Sequence, residues 1–129
     1  MKNLRRNRLQ REYRALNHSM CTKKYEKTIS GFLMRMYRNM KSRIVGVQRA
    51  KYHLYKGKYL LPRKQFYRFA LKNMQFLQLY TTYINSHYQQ KLAPSINRID
   101  SSKGYSLDNM EFITQSENSR LGGLRKRYA

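Results

Sequence analysis

Between Pro94 and Arg120 the chain reads PSINRIDSSKGYSLDNMEFITQSENSR. This stretch holds four of the six acidic residues, Asp100, Asp108, Glu111 and Glu117, in a 129-residue sequence of formal net charge +22. Its punctuation narrows the local fold more than any other part of the chain. Ser95-Ile96-Asn97-Arg98-Ile99 reads as a short strand, with Pro94 at an edge where a missing backbone donor is tolerated. Ser101-Ser102-Lys103-Gly104 is a turn cluster, in which Gly104 is able to take the positive φ that a tight reversal often needs. Met110-Glu111-Phe112-Ile113 reads as a second strand. Thr114-Gln115-Ser116-Glu117 fits a capping box, in which Thr114 caps the free amides of a helix and Glu117 reaches back to the Thr114 amide. Gly122-Gly123 is expected to stop that helix. The segment is therefore a ββα unit, and carboxylates gathered beside asparagines in so basic a chain point to a small polar site as well as a positive surface.

The same residues resemble the ββα-metal (HNH, or His-Me finger) nuclease motif. In that family an Asp-His pair ends the first strand, an Asn opens the second, and an Asn or His sits on the helix. Ser106-Leu107-Asp108-Asn109 followed by Thr114 to Arg120 is similar to HNH domains of RNA-guided nucleases. The Asn-Arg-Ile-Asp run with Lys103-Gly104-Tyr105 is closer still to small phage and bacterial HNH-like proteins, in which Arg also replaces the catalytic His. The resemblance covers about 27 residues well. It extends more weakly to Tyr37–Arg43 and Tyr55–Lys58. It implies that Asn109 locks the loop and that Asn97 and Asn118 hold one divalent cation, with Mg2+ expected.

At the Asp-His place the chain carries Asn97-Arg98. An Asn ligates through a neutral oxygen and adds no charge, so affinity for a hard cation falls. An Arg stays protonated at physiological pH and cannot take a proton from water. Arg98 then becomes a clamp on a phosphate oxygen, stabilising developing charge. Asp100, two residues on, is a substitute base or ligand. The catalytic set on this reading is Arg98, Asp100 and Asn109.

Twenty-eight Lys and Arg and a pI near 10.6 call for a polyanionic partner: DNA first, with RNA also open. The single Cys21 excludes an intramolecular disulfide, and His18, His53 and His87 have no zinc-finger spacing. An intracellular location is expected, in a bacterial or phage-infected cytoplasm or in an organelle, with no membrane partner. The sequence leaves the oligomeric state open.

The expected fold class is α+β, mostly helical, with N-terminal helices followed by the C-terminal ββα unit. Residues 1–28 form a basic arm, 29–92 a helical region, 93–123 the HNH-like unit and 124–129 a basic tail. In the arm, Arg5, Arg6, Arg8, Arg11 and Arg14 are expected to lie along phosphates, with Leu9, Tyr13 and Leu16 on one stripe. Ile29, Phe32, Leu33, Met36, Met40 and Ile44 mark an amphipathic helix ended by Gly46. A Lys56-Gly57-Lys58 turn and a short strand at Tyr59-Leu60-Leu61 follow. One long helix is expected from Lys64 to Tyr88, with Phe66, Phe69, Ala70, Phe76, Leu77, Tyr80, Tyr83 and Ile84 inward. Arg63, Lys64, Arg68 and Lys72 on that helix flank a groove or face solvent. Further nucleic-acid contacts are expected from Arg38, Lys41, Arg43, Lys103, Arg120, Arg125 and Arg127.

Two functions fit this pattern. One is an HNH-like endonuclease of the phage or mobile-element type that hydrolyses DNA phosphodiesters with a divalent cation. The other is a catalytically degenerate HNH fold that binds DNA or structured RNA inside a nucleoprotein particle such as a ribosome.

Overall fold

A computed structural model describes residues 8–13, 24–46 and 49–128. The chain divides into two compact units, Met1–Arg35 and Met36–Ala129. Among the described residues the architecture is α+β and mostly helical, with one two-stranded sheet near the C-terminus.

In the first unit, residues 8–13 are helical, and Arg8 Nε pairs with Glu12 at 3.0 Å one turn on. Thr28 starts α1 (Ile29–Val45), whose residues from Met36 on belong to the second unit, and its Oγ1 accepts from the Gly31 amide at 3.1 Å in the manner of an N-cap. The helix ends where the sequence expects, at Gly46, whose φ of +88° lies in the left-handed region. The remaining arm residues (Lys2, Arg5, Arg6, Arg14, Leu16) lie outside the described residues, as do His18 and Cys21.

In the second unit, α2 (Arg63–Lys72) and α3 (Met74–Asn85) replace the single long helix expected from Lys64 to Tyr88. The break is Asn73. Its extended backbone ends α2, and its Oδ1 accepts from the Phe76 amide at 2.9 Å, capping α3. Apolar periodicity runs through this junction unchanged, so only the cap marks it. Past α3, His87 and Tyr88 take positive φ and turn the chain toward the sheet.

β1 (Pro94–Arg98) pairs antiparallel with β2 (Met110–Thr114), with Ile96 opposite Phe112 and Asn97 opposite Glu111. Alternation splits the hairpin into two faces. One face presents Ile96 and Phe112 to the helices, with the Phe112 ring 4.9 Å from Phe76 and 5.6 Å from Phe69. The other presents Ser95, Asn97, Glu111 and Ile113. The core of this unit comprises Met40, Leu61, Phe66, Ala70, Phe76, Tyr80, Ile96, Tyr105, Met110 and Phe112. Of the expected inward stripe, Ile84 is exposed.

α4 (Gln115–Tyr128) follows β2 directly, completing strand, loop, strand, helix. It runs straight through Gly122-Gly123, which the sequence reading makes its end. A glycine stops a helix only when it turns left-handed, and neither does so. Half of the capping box forms. Thr114 Oγ1 accepts from the Glu117 amide at 3.1 Å, but the Glu117 carboxylate turns to Arg120 instead of reaching back.

Gly104 also differs from expectation. It does not take positive φ. It is a glycine because the backbone of Tyr59 passes against it: an added Cβ would sit 2.1 Å from the Tyr59 carbonyl oxygen and 2.4 Å from its nitrogen. That approach lets Tyr105 N bond Tyr59 O at 2.7 Å and Leu61 N bond Tyr105 O at 3.0 Å. The expected strand at Tyr59–Leu61 thus reduces to one parallel bridge, Leu60 to Tyr105. The expected turn holds, with Gly57 at φ +71°.

Candidate nucleic-acid site

The loop between the strands is organised by one side chain. Asn109 is buried, its Oδ1 accepting from the Asp100 amide at 2.8 Å. Its Nδ2 donates to the carbonyl oxygens of Asp100 at 3.0 Å and Gly104 at 2.8 Å. One amide group thereby ties both ends of a tight loop to the start of β2.

Asn118, on the first turns of α4, donates from Nδ2 to Ser95 Oγ at 2.7 Å and to the Ile96 carbonyl oxygen at 3.1 Å. A carbonyl only accepts, so the nitrogen faces β1 and the side-chain oxygen faces away. Because Ser95 shares a sheet face with Asn97 and Glu111, Asn118 joins that polar face. Asn97 itself is buried, with Nδ2 donating to Glu111 Oε1 at 2.7 Å. Glu111 is a carboxylate the sequence reading leaves unassigned. Only the strand register, which sets it directly across from Asn97, brings it into the site.

Asp100 does not join this face through its carboxylate. Its Oδ1 accepts from the Ser102 amide at 2.9 Å and from Ser102 Oγ at 2.6 Å. Those bonds, reinforced by the charges of Lys103 and Lys58, hold its carboxyl below the usual range. A carboxylate so stabilised is a weaker base than an ordinary one. Asn97, Asp100 and Asn118 are thus each engaged with a different partner: Glu111, Ser102 and Ser95.

Arg98 pairs with neither Asp100 nor Glu117. Its guanidinium lies over the Tyr55 ring, 4.2 Å from the centroid, and 5.7 Å from that of Tyr105. Nη1 donates to the carbonyl oxygens of Lys103 at 3.1 Å and Leu54 at 3.4 Å. The two rings stack 6.2 Å apart, and burial pushes the Tyr105 hydroxyl up from its ordinary value, the nearby Arg43 opposing.

The remaining basic candidates divide by environment. Arg38, Lys41 and Lys103 are exposed, as is Arg11 in the other unit. Arg43 is half-buried and donates to the Tyr105 hydroxyl at 3.3 Å. Arg8 is tied to Glu12 and Arg120 to Glu117, so each faces a carboxylate of its own helix. The side chains of Arg125 and Arg127 lie outside the described residues. Arg68 and Lys72 line, with Gln65, Phe69, Asn73 and Leu107, an open depression of about 370 Å³. His53 and His87 are exposed.

No protein family, curated protein or solved structure matches the chain. Among the described residues no helix is long and apolar enough to cross a membrane, and no three His, Cys, Asp or Glu side chains are grouped to hold a metal. On the sheet face that Asn118 joins through Ser95, the side-chain oxygen donors are those of Ser95, Asn97 and one carboxylate, Glu111.

Proposed function

We propose that the chain is a nucleic-acid-binding, HNH-like endonuclease that hydrolyses DNA phosphodiesters with a divalent cation. The observation that carries this reading is Asn118. Its amide nitrogen is spent on Ile96 and on Ser95, which shares a sheet face with Asn97 and Glu111, and among the described residues its side-chain oxygen has no donor. Asn118 and Glu111, with Asn97 beside them, would hold the cation. When bound, such a cation lowers the pKa of a coordinated water and offsets charge developing on the phosphate. Arg98 supplies a fixed guanidinium for a phosphate oxygen, and Asn109 keeps the loop that carries Asp100 and Lys103 in place. The net charge of +22 supplies salt-sensitive affinity for any duplex.

Binding without cleavage is the second reading, and Arg98 favours it. A guanidinium stands where the family keeps its general base, and the nearby Asp100 carboxylate is held by Ser102. Incubation of the protein with supercoiled plasmid and Mg2+ or Mn2+ separates the two. Nicking that EDTA abolishes and Asn118→Ala removes is the result expected. Tight binding without nicking, repeated on the genome from which the chain comes, would leave only the binding reading.

A further inference from the structure

Arg98 is buried to 7 % exposure, yet among the described residues no carboxylate pairs with it. Carbonyl oxygens take its Nη1 and tyrosine faces take its plane, and neither cancels a full positive charge. A second cation meets it. Lys58 Nζ and Arg98 Nη1 donate to the same acceptor, the Leu54 carbonyl oxygen, at 2.5 and 3.4 Å, which puts the two nitrogens within about 6 Å of each other. Lys58 also donates to Ser101 O at 2.8 Å, so the hydrogen bonds that fix both cations go to backbone carbonyl oxygens. Arg43 reaches the far side of the same tyrosine pair.

Two donors of the guanidinium remain to be accounted for. Among the described residues Arg98 Nε and Nη2 donate to no partner, and no side-chain nitrogen or oxygen shut off from solvent lacks one. Those two groups therefore reach water. They form one planar edge of the kind that grips two oxygens of a phosphate, and stacking on Tyr55 holds it in orientation. The Asp100 carboxylate acts on Lys58 only through its charge and forms no ion pair with either cation, so two cations brought this close still favour an anion that binds both.

We infer that Arg98 and Lys58 form a preformed fork for one oxyanion, a backbone phosphate of the bound nucleic acid. This rests on the nucleic-acid half of the reading above and is independent of cleavage. It adds Lys58 and Tyr55, which the resemblance does not assign. Lys58 supplies a point charge, Arg98 the planar donor edge, and Tyr55 the support that sets the plane.

Two measurements test it. In the first, inorganic phosphate is titrated into the full chain against chloride at equal ionic strength, following the arginine Nε–H resonances by NMR. The fork predicts a saturable shift of the Arg98 signal in phosphate that chloride does not produce; an Arg98 signal moving alike in both salts would overturn it. The second is duplex DNA binding as a function of salt for the wild type, Lys58→Gln, Arg98→Lys and the exposed-lysine control Lys91→Gln. Loss of one phosphate contact lowers the slope of log K against log salt by about 0.9. Lys58→Gln is expected to do so with about three- to ten-fold weaker binding at low salt, and Lys91→Gln to leave the slope as it is. A normal slope in both Lys58→Gln and Arg98→Lys, with DNA still bound, would overturn the backbone assignment while leaving nucleic-acid binding intact. A wild-type chain that binds no DNA but shows the phosphate shift would refute the nucleic-acid reading and keep the fork for free phosphate.

Discussion

Truncating Asn109 should collapse the loop on which the whole site depends. Its side chain makes three hydrogen bonds at 2.8, 3.0 and 2.8 Å, all to backbone groups, and is itself buried. A hydrogen bond contributes about 1 kcal/mol net, and a partner left unpaired costs about 1–3 kcal/mol. The Asp100 end of the loop is exposed, so water recovers part of that loss there; the Gly104 end is buried. Asn109→Ala should therefore cost about 2–4 kcal/mol, lowering Tm by about 10 °C. Asn109→Asp sharpens the test. It keeps the acceptor for the Asp100 amide but aims a carboxylate oxygen at two carbonyl oxygens. That group's folded-state pKa must rise above its unfolded value near 3.9. Its stabilising contribution is then present below the unfolded pKa and is lost as pH climbs through the folded one. Relative to wild type, Asn109→Asp should be at least as damaging as Asn109→Ala at pH 7 and should recover part of the difference toward about pH 4. Urea unfolding followed by circular dichroism at the two pH values measures this. A loss below about 1 kcal/mol for Asn109→Ala, or no pH recovery for Asn109→Asp, would refute the locking role.

Gly104→Ala drives a methyl into the Tyr59 backbone and should cost about 3 kcal/mol. Gly57→Ala meets no atom, bears only the strain of its positive φ, and should cost about 1 kcal/mol, so the ranking by thermal melts is the check. Gly122→Ala and Gly123→Ala, both in an exposed helix with open space around them, should each stabilise by about 0.5–1 kcal/mol and raise helical circular dichroism; a loss of stability would mean that these glycines serve a close approach. Asp100, Asp108 and Glu117 are held below the usual carboxylate range by hydrogen bonds from Ser102, Ser106 and Arg120 respectively. Their contribution is present above an unfolded pKa of about 4 and is lost as pH falls through the lower folded values. Carboxyl NMR titrations should place all three below model-peptide values, and Ser102→Ala should return Asp100 toward them.

The hairpin, its loop, and the start of the final helix were legible because their determinants lie a few residues apart. A proline at the strand edge, a turn cluster, an alternating run and a capping Thr act within one or two turns of chain, and local sterics and capping bonds decide them. The resemblance singled out Asn109 and Asn118, and the hydrogen-bond partners of both lie within that segment. Elsewhere local signals misled or fell silent. Apolar periodicity alone cannot reveal that Asn73 splits a helix, because both halves bury the same stripe. Gly122-Gly123 looks like a stop, yet a glycine breaks a helix only where its φ turns positive. Gly104 carries the same ambiguity: composition offers conformational freedom as its reason, whereas the contact with Tyr59, 45 residues earlier, supplies steric necessity. Glu111 entered the site through a register that sets it opposite Asn97. The meeting of Arg98 with Tyr55, Lys58 and the Leu54 carbonyl depends on loops 40 and more residues apart in sequence closing on one another. Charge and pattern thus determined a basic chain carrying a ββα unit. Tertiary packing decided which side chains share a face and which cation is left without an acid, because those pairings depend on distances that no local sequence rule encodes.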